Sequence, residues 1–300
     1  MHIQTSLPPG FESGAFTCAE ALAAGISAKR LRSRDVDHPF WGICVAAGSV
    51  QNLQDRCRAF QQRMPAGAFF SHATAARLYG VPLPAGLEAD LRMHVTVVHP
   101  DRAPRAAVVI GHHVANLPGV GTVAGISVLA PISAWCQLAS VLELNDLVAA
   151  GDHLLRAELG LATAVEIAAR VVQYAGHGGA LRLRAAEALI RPRVESRRET
   201  FLRLFLLMCE FPEPETNMDI PLPLGKRCVR GDLVYFRYKV LVEYDGEQHR
   251  TDDVQYNRDA ERLHDLREAG WLVITVRKGS SKEWGRDAVD AALRSRGWRP

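Results

Sequence analysis

The chain has 300 residues and 32.9 kDa, with 48% hydrophobic and 23% charged residues. That composition excludes intrinsic disorder, collagen-like repeats and coiled coil for its bulk, and the length implies two or three domains at roughly 100 to 200 residues each. The most apolar stretch, Gly125 to Leu144, is broken by Pro131, Gln137 and Glu143, short of the roughly 18 uninterrupted apolar residues of a membrane span, and a net charge of +3 does not by itself identify an anionic partner.

The opening MHIQTSLPPG has neither a positive n-region nor an apolar h-region, which sets the expectation of a cytoplasmic protein. Cys18, Cys44, Cys57, Cys136, Cys209 and Cys228 contain no C-x-x-C pair; the spacing predicts scattered reduced thiols, not a disulfide framework or structural zinc. Thr17 and Glu20 form a capping box that opens a helix over 17–24, and Gly25 ends it. Ser27 caps a second short helix through about Arg34 that carries Lys29, Arg30, Arg32 and Arg34. With the stretch 40–47 as a wing, this is a helix-turn-helix outline whose basic helix would meet phosphates and base edges.

Residues 51–190 read as a chemically quiet α+β connector. Helices are predicted over 53–64 and from a Ser71 cap to Tyr79, with strands over 94–98 and 108–112 and helices from near Pro131 and Asp146. His112-His113 and Asp152-His153 are candidates for ligands or a general base, but adjacent strand histidines point to opposite faces and a single Asp-His dipeptide in a helix converges on nothing. From Leu181 to Arg203 seven arginines outnumber three glutamates, a segment that faces either a phosphate backbone or solvent through Arg–Glu pairs.

Residues 191–300 read as αβββαβα: helix 197–210, strands 215–221, 229–236 and 239–245, helix 255–269, strand 271–277 and helix 283–296. A hairpin turn centred on Arg237-Tyr238 sets Asp232 opposite Glu243, with Asp245 two residues further along on Glu243's face. Carboxylates so placed repel one another, while Leu233, Tyr235, Val240 and Val242 on the other face fix the register by burial. Hard divalent cations such as Mg2+ or Mn2+ take such oxygen ligands, and a bound cation activates water and polarises a phosphodiester. The plainer reading pairs Asp232 and Glu243 with Arg230, Lys239 or Arg237 as edge acids. Glu199 caps its own helix after Ser196 and stands close in sequence to the hairpin, so both a capping and a metal-shell role are open. His249 is a general acid or base or a loop hydrogen-bonding residue. Gln255, Asp259 and Arg262 share a helix face that meets phosphate or the acids, or carries only an Asp–Arg surface pair.

The segments RGDLVYFRYKVLVEYDGEQHR and QYNRDAERLHDLREAGWLVITV resemble the C-terminal domain of a large actinobacterial group similar to very-short-patch-repair (Vsr-like) endonucleases of the PD-(D/E)XK superfamily. The resemblance covers residues 191–300, about 110 residues and so one domain by length, and implies a restriction-endonuclease-like αβββαβ core. In it Asp232 would be the first metal acid, Glu243 the second and Glu199 the helix carboxylate, with Asp245 and His249 nearby. The superfamily's usual lysine, two residues after the second acid, is Asp245 here; either another cation such as His249, Arg262 or Lys278 assists, or hydrolysis is weak or lost. GAFTCAEALAAGISAKRLRSRDVDHPFWGICVAA and FSHATAARLYGVPLP resemble the winged helix of AbiEi-type antitoxins and the segment after it.

The expected whole is an α/β chain, α+β overall: a winged helix-turn-helix over 1–50, an AbiEi-like α+β domain over 51–190 and a Vsr-like nuclease domain over 191–300. The expected function is a DNA-binding endonuclease dependent on Mg2+ or Mn2+. Asp232, Glu243 and Asp245 would hold the metal, Glu199 and His249 would assist catalysis, and Lys29, Arg30, Arg32, Arg34, Arg197, Arg198 and Arg262 would bind DNA. The rival is an antitoxin-type transcriptional regulator with an inactive nuclease-like domain. RNA as substrate, a homodimer and a toxin partner stay open.

Overall fold

The computed structural model describes residues 7, 10–12, 14–222, 228–245 and 253–300, of which 253–260 are described by backbone alone. The chain is mixed α and β and divides into two compact units, Met1–Leu138 and Ala139–Pro300. The division falls inside the stretch that composition groups as 51–190. Among the described residues no helix is long and apolar enough to cross a membrane.

The first unit opens with β1 (Ala15–Thr17), α1 (Cys18–Ala23), α2 (Ala28–Leu31), β2 (Val36–Phe40) and β3 (Ile43–Ala46), whose strands form one sheet in the order β1-β3-β2. Thr17 makes both bonds of the capping box with Glu20, which satisfies backbone donors that the first turn leaves open. Gly25 supplies the left-handed turn (φ 83) and Ser27 caps α2. The second helix is shorter than the sequence suggests: it ends at Leu31, because Arg32 already carries the terminal conformation and Arg30 turns back to Asp35. The wing segment is the β2–β3 hairpin, turning at Trp41-Gly42 with Trp41 exposed.

The unit continues through α3 (Leu53–Gln61), β4 (Phe69–Phe70), α4 (His72–Leu78), α5 (Ala85–Ala89), β5 (Met93–Val98), β6 (Val109–Val114), β7 (Val120–Val123), β8 (Ile126–Leu129) and α6 (Pro131–Leu138). Sheet order is β6-β5-β4-β8-β7, with β5–β6 and β4–β8 parallel. Phe60, Phe69, Phe70, Met93, Val95, Ile126 and Val128 fill its core. Of these strands only β5 and β6 are legible as β-branched runs; β4 is two residues long and carries no periodicity. Ser71 stands at the N-cap of α4 but makes no capping bond, since its hydroxyl is engaged with His72 and Thr96.

The second unit begins with α7 (Leu144–Leu154), α8 (Ala164–Gln173) and α9 (Ala180–Leu189), followed by α10 (Arg197–Met208), β9 (Glu215–Ile220), β10 (Val229–Tyr235), β11 (Val240–Asp245), α11 (Asp253–Glu268), β12 (Leu272–Arg277) and α12 (Lys282–Ser295). From α10 onward this is the expected order. The sheet runs β12-β11-β10-β9, antiparallel except for β11–β12. Leu233, Tyr235, Val240 and Val242 are buried against Leu202 and Leu206 of α10 and Val289 and Leu293 of α12. The opposite face packs Val234 and Leu241 on Leu266 of α11 and Trp271. Burial on both faces fixes the hairpin register, because a one-residue slip would exchange the two faces.

Candidate functional site

The hairpin pairs Leu233 with Val242, Val234 with Leu241 and Tyr235 with Val240, the expected register, and it brings Asp232 next in line to Glu243. Here the ladder ends: the Tyr244 N–H donates to Asp232 Oδ2 at 2.9 Å, so the side chain takes up a strand donor. Burial pushes the Asp232 carboxyl up to about 6, and the charges of Glu199 and Glu243 push the same way. Acids from α10, β10 and β11 are thus close enough to feel one another.

Each acid nevertheless has partners. Glu243 is buried and holds Arg262 in a two-point clasp at 2.6 and 2.7 Å, the strong fork-to-fork geometry of guanidinium and carboxylate. Asp245 lies beside Arg277 on the parallel strand β12, at 3.6 Å. Glu199 accepts from the Ser196 hydroxyl at 2.7 Å, from the Glu195 N–H at 3.0 Å and from Asn217 Nδ2 at 2.6 Å. Asn217, buried with a left-handed backbone (φ 46), has no local sequence signal that ties it to Glu199. His249 lies outside the described residues, as do the side chains of Gln255 and Asp259.

The donor set is suited to a hard cation, and Asp232 stays raised, by burial first and then by Glu199 and Glu243, although the Tyr244 N–H and the Arg262 charge pull it down. The set is not preassembled. Among the described residues, the groups of three ligand atoms lying within 4.8 Å of one another are His72–His94–His112 and Cys18–His38–Cys44, and the acids are not among them. A cation at Asp232 and Glu243 would have to displace Arg262.

The basic residues divide sharply. Lys29, Arg32, Arg34 and Arg198 are exposed. Arg30 is instead paired with Asp35 at 2.8 Å, and Arg197 with Asp146 at 2.6 Å while stacking on Phe201. The arginine-rich segment 181–203 is divided: Arg184, Arg193 and Arg198 are exposed, whereas Arg182 donates to the Ala139 and Leu142 carbonyls, Arg191 pairs with Glu213, and Arg203 is fully buried on Asp152. A face toward phosphate is overturned for these last three, because their guanidinium groups are spent on protein acceptors. Asp152 likewise is no general base: it accepts from Thr200 Oγ1 and the Arg191 N–H beside Arg203.

Two clusters carry no local signal. Cys18 and Cys44 Sγ lie 3.1 Å apart, with His38 Nδ1 3.6 Å from Cys44, so these thiols are not scattered. His72, His94 and His112 stack as one group, while His113 points away toward Ala103. No family model, curated protein or solved structure matches the chain.

Proposed function

We propose that the Ala139–Pro300 unit is a divalent-cation-dependent phosphodiesterase acting on DNA, and that the first fifty residues are a winged helix-turn-helix that holds the duplex. The observation that carries the reading is the Asp232 carboxyl, raised toward neutrality by burial together with Glu199 and Glu243. Functional sites are where such shifts concentrate. Supporting it are the αβββαβ order and a hairpin register that sets Asp232 next to Glu243. For the first fifty residues the support is two short helices followed by a hairpin with an exposed Trp41 at its tip.

Asp232 and Glu243 would hold the cation, which when bound supplies Lewis acidity toward a phosphodiester. Glu199, fixed by three donors, stands close enough to Asp232 to push its carboxyl up. Arg262, once released from Glu243, is a fork-shaped donor for a phosphate oxygen. Arg198, exposed with its guanidinium over the Tyr244 ring at 5.9 Å, stands ready to meet the backbone of a nucleic acid.

The Arg262–Glu243 clasp and Asp245 in the lysine position favour a second reading, a DNA-binding regulator whose last domain does not cleave. Nicking of supercoiled plasmid in Mg2+ or Mn2+ separates the two. The hydrolase reading expects nicking that Asp232→Asn and Glu243→Gln each reduce by at least a hundredfold. Nicking that survives in both variants rejects the site. Tight DNA binding with no cleavage in either metal establishes the regulator.

A further inference from the structure

We propose that His72, His94 and His112 form a binding site for a divalent first-row transition ion, zinc in the first instance, in the Met1–Leu138 unit. The site stands independently of the hydrolase reading.

Three separate elements deliver the ligands. β5 and β6 run parallel with His94 beside Ile110 and Thr96 beside His112, so His94, Thr96 and His112 share one sheet face. α4 starts over that face with His72 as its first residue. His94 Nδ1 and His112 Nε2 are 2.9 Å apart, and the His72 ring stacks on His112 at 3.8 Å between centroids. One ring nitrogen from each residue falls within 4.8 Å of the others. Zinc–imidazole bonds of roughly 2.0 to 2.1 Å in a tetrahedral arrangement need nitrogens a little over 3 Å apart.

The surroundings match what a ligating imidazole requires. Its other nitrogen is ordinarily fixed by a second hydrogen bond that sets tautomer and ring orientation. His72 Nδ1 lies 2.9 Å from Ser71 Oγ, which itself accepts from Thr96 Oγ1 at 2.7 Å. Both Ser71 and Thr96 are fully buried. In the tautomer that donates from Nδ1 to Ser71 Oγ, His72 presents a bare Nε2; in the other, the Ser71 hydroxyl donates to Nδ1 and binding must move the ring proton from Nε2 to Nδ1. Its backbone is held at φ 50, and its N–H donates to Gln137 Oε1 at 3.0 Å. Left-handed geometry at a non-glycine residue persists only where the surroundings over-determine it.

Burial and the neighbouring imidazoles also keep the three rings neutral: His72 is pushed down to about 3, His94 to about 4, and His112 below its ordinary value. At neutral pH each therefore keeps a lone pair. Imidazole nitrogens suit zinc, copper, iron and nickel and not magnesium, which separates this cluster from the acids at Asp232. The rings now lie within 8° to 23° of parallel, so binding must rotate them about the soft terminal torsion of histidine. The member of the His94–His112 pair that donates must also move its proton to its other ring nitrogen. All three then bind as neutral imidazoles, with no proton gained or lost.

The test uses the full chain, stripped with chelator and dialysed. Zn2+ is titrated while the ring nitrogens of the eleven histidines are followed by nitrogen-15 NMR, and affinity is measured by calorimetry. Three ring systems should shift together and saturate at one equivalent. His94→Gln and His112→Gln should each weaken that event at least tenfold, with unchanged far-UV circular dichroism. Cys18→Ser, which disables the thiol pair, should leave it intact. If a histidine variant fails to fold, the wild-type spectrum decides alone. Rings unmoved by saturating Zn2+, or an affinity unchanged in both histidine variants, would overturn the site.

Discussion

Arg203 shows how far a single residue can stand from the role its charge suggests. Its side chain is fully buried, its Nη2 lies 3.1 Å from Asp152 Oδ2 and 2.8 Å from the Leu189 carbonyl, and its Nε finds no partner. Burial pushes the Asp152 carboxyl up while Arg203, Thr200 and the Arg191 N–H pull it back, so removing the guanidinium leaves an uncompensated buried acid. Breaking a buried pair on one side costs about 3 to 5 kcal/mol. Urea unfolding of Arg203→Met should show a loss of that size, and the double variant Arg203→Met with Asp152→Leu should recover much of it; a loss below about 1 kcal/mol would place the pair among ordinary surface bridges. The thiols offer a second check at this scale. Burial raises Cys57 to about 12, whereas Cys228 is exposed. Since the thiolate is the nucleophile, iodoacetamide at pH 8 should alkylate Cys228 in native protein and reach Cys57 only after unfolding. Mass spectrometry reads the order directly.

At the scale of elements, the parts legible in the sequence are those whose residues announce themselves locally. Thr17 and Glu20 close a capping box three residues apart, Ser196 and Ser281 cap α10 and α12, and alternation around Arg237-Tyr238 sets a register that burial on two faces then enforces. What escapes is whatever depends on pairing at a distance. The two-residue β4 is a strand only because Phe69 and Phe70 sit between β5 and β8, and the histidine cluster exists only because β5 and β6 are parallel. The acids were individually legible, and contact with them was one of the readings of the helix face that carries Arg262; what was not legible is that Arg262 clasps Glu243 at two points. Gly179 is a further case: its φ is 83, and an added Cβ would stand 2.4 Å from the Ala139 carbonyl carbon and oxygen. Backbone cannot retreat as a flexible side chain can, so Gly179→Ala should lose about 2 to 4 kcal/mol from left-handed strain and overpacking together. Thermal unfolding would show it; a change under about 0.5 kcal/mol, the usual range of surface substitutions, would mean that the α8–α9 connection adjusts freely.

For the whole molecule the decisive quantity is where its positive charge is left over. A net charge of +3 gives weak general attraction to a polyanion, and most arginines of the 181–203 segment are consumed within their own unit. Exposed cations remain in both units, and within the first fifty residues they are Lys29, Arg32 and Arg34 around α2, the ones on which the proposed winged helix-turn-helix must rely for DNA. Each cation that neutralises a phosphate contributes roughly −0.9 to the slope of log K against log salt concentration. If α2 meets the duplex, replacing Lys29 and Arg34 together by alanine should flatten that slope by roughly 2 and weaken binding nearly uniformly across sequences. Arg30→Ala should act differently. It removes the partner of Asp35, whose carboxyl Arg30 and Ser33 hold below its ordinary value, so its effect should be felt in the folding of the first fifty residues and not in the slope. Fluorescence anisotropy on a labelled duplex between 50 and 200 mM salt, roughly the range over which counterion release is read, makes the comparison. A slope that Lys29→Ala/Arg34→Ala leaves unchanged would move the DNA contact away from the first unit and toward Arg198 and the acidic hairpin.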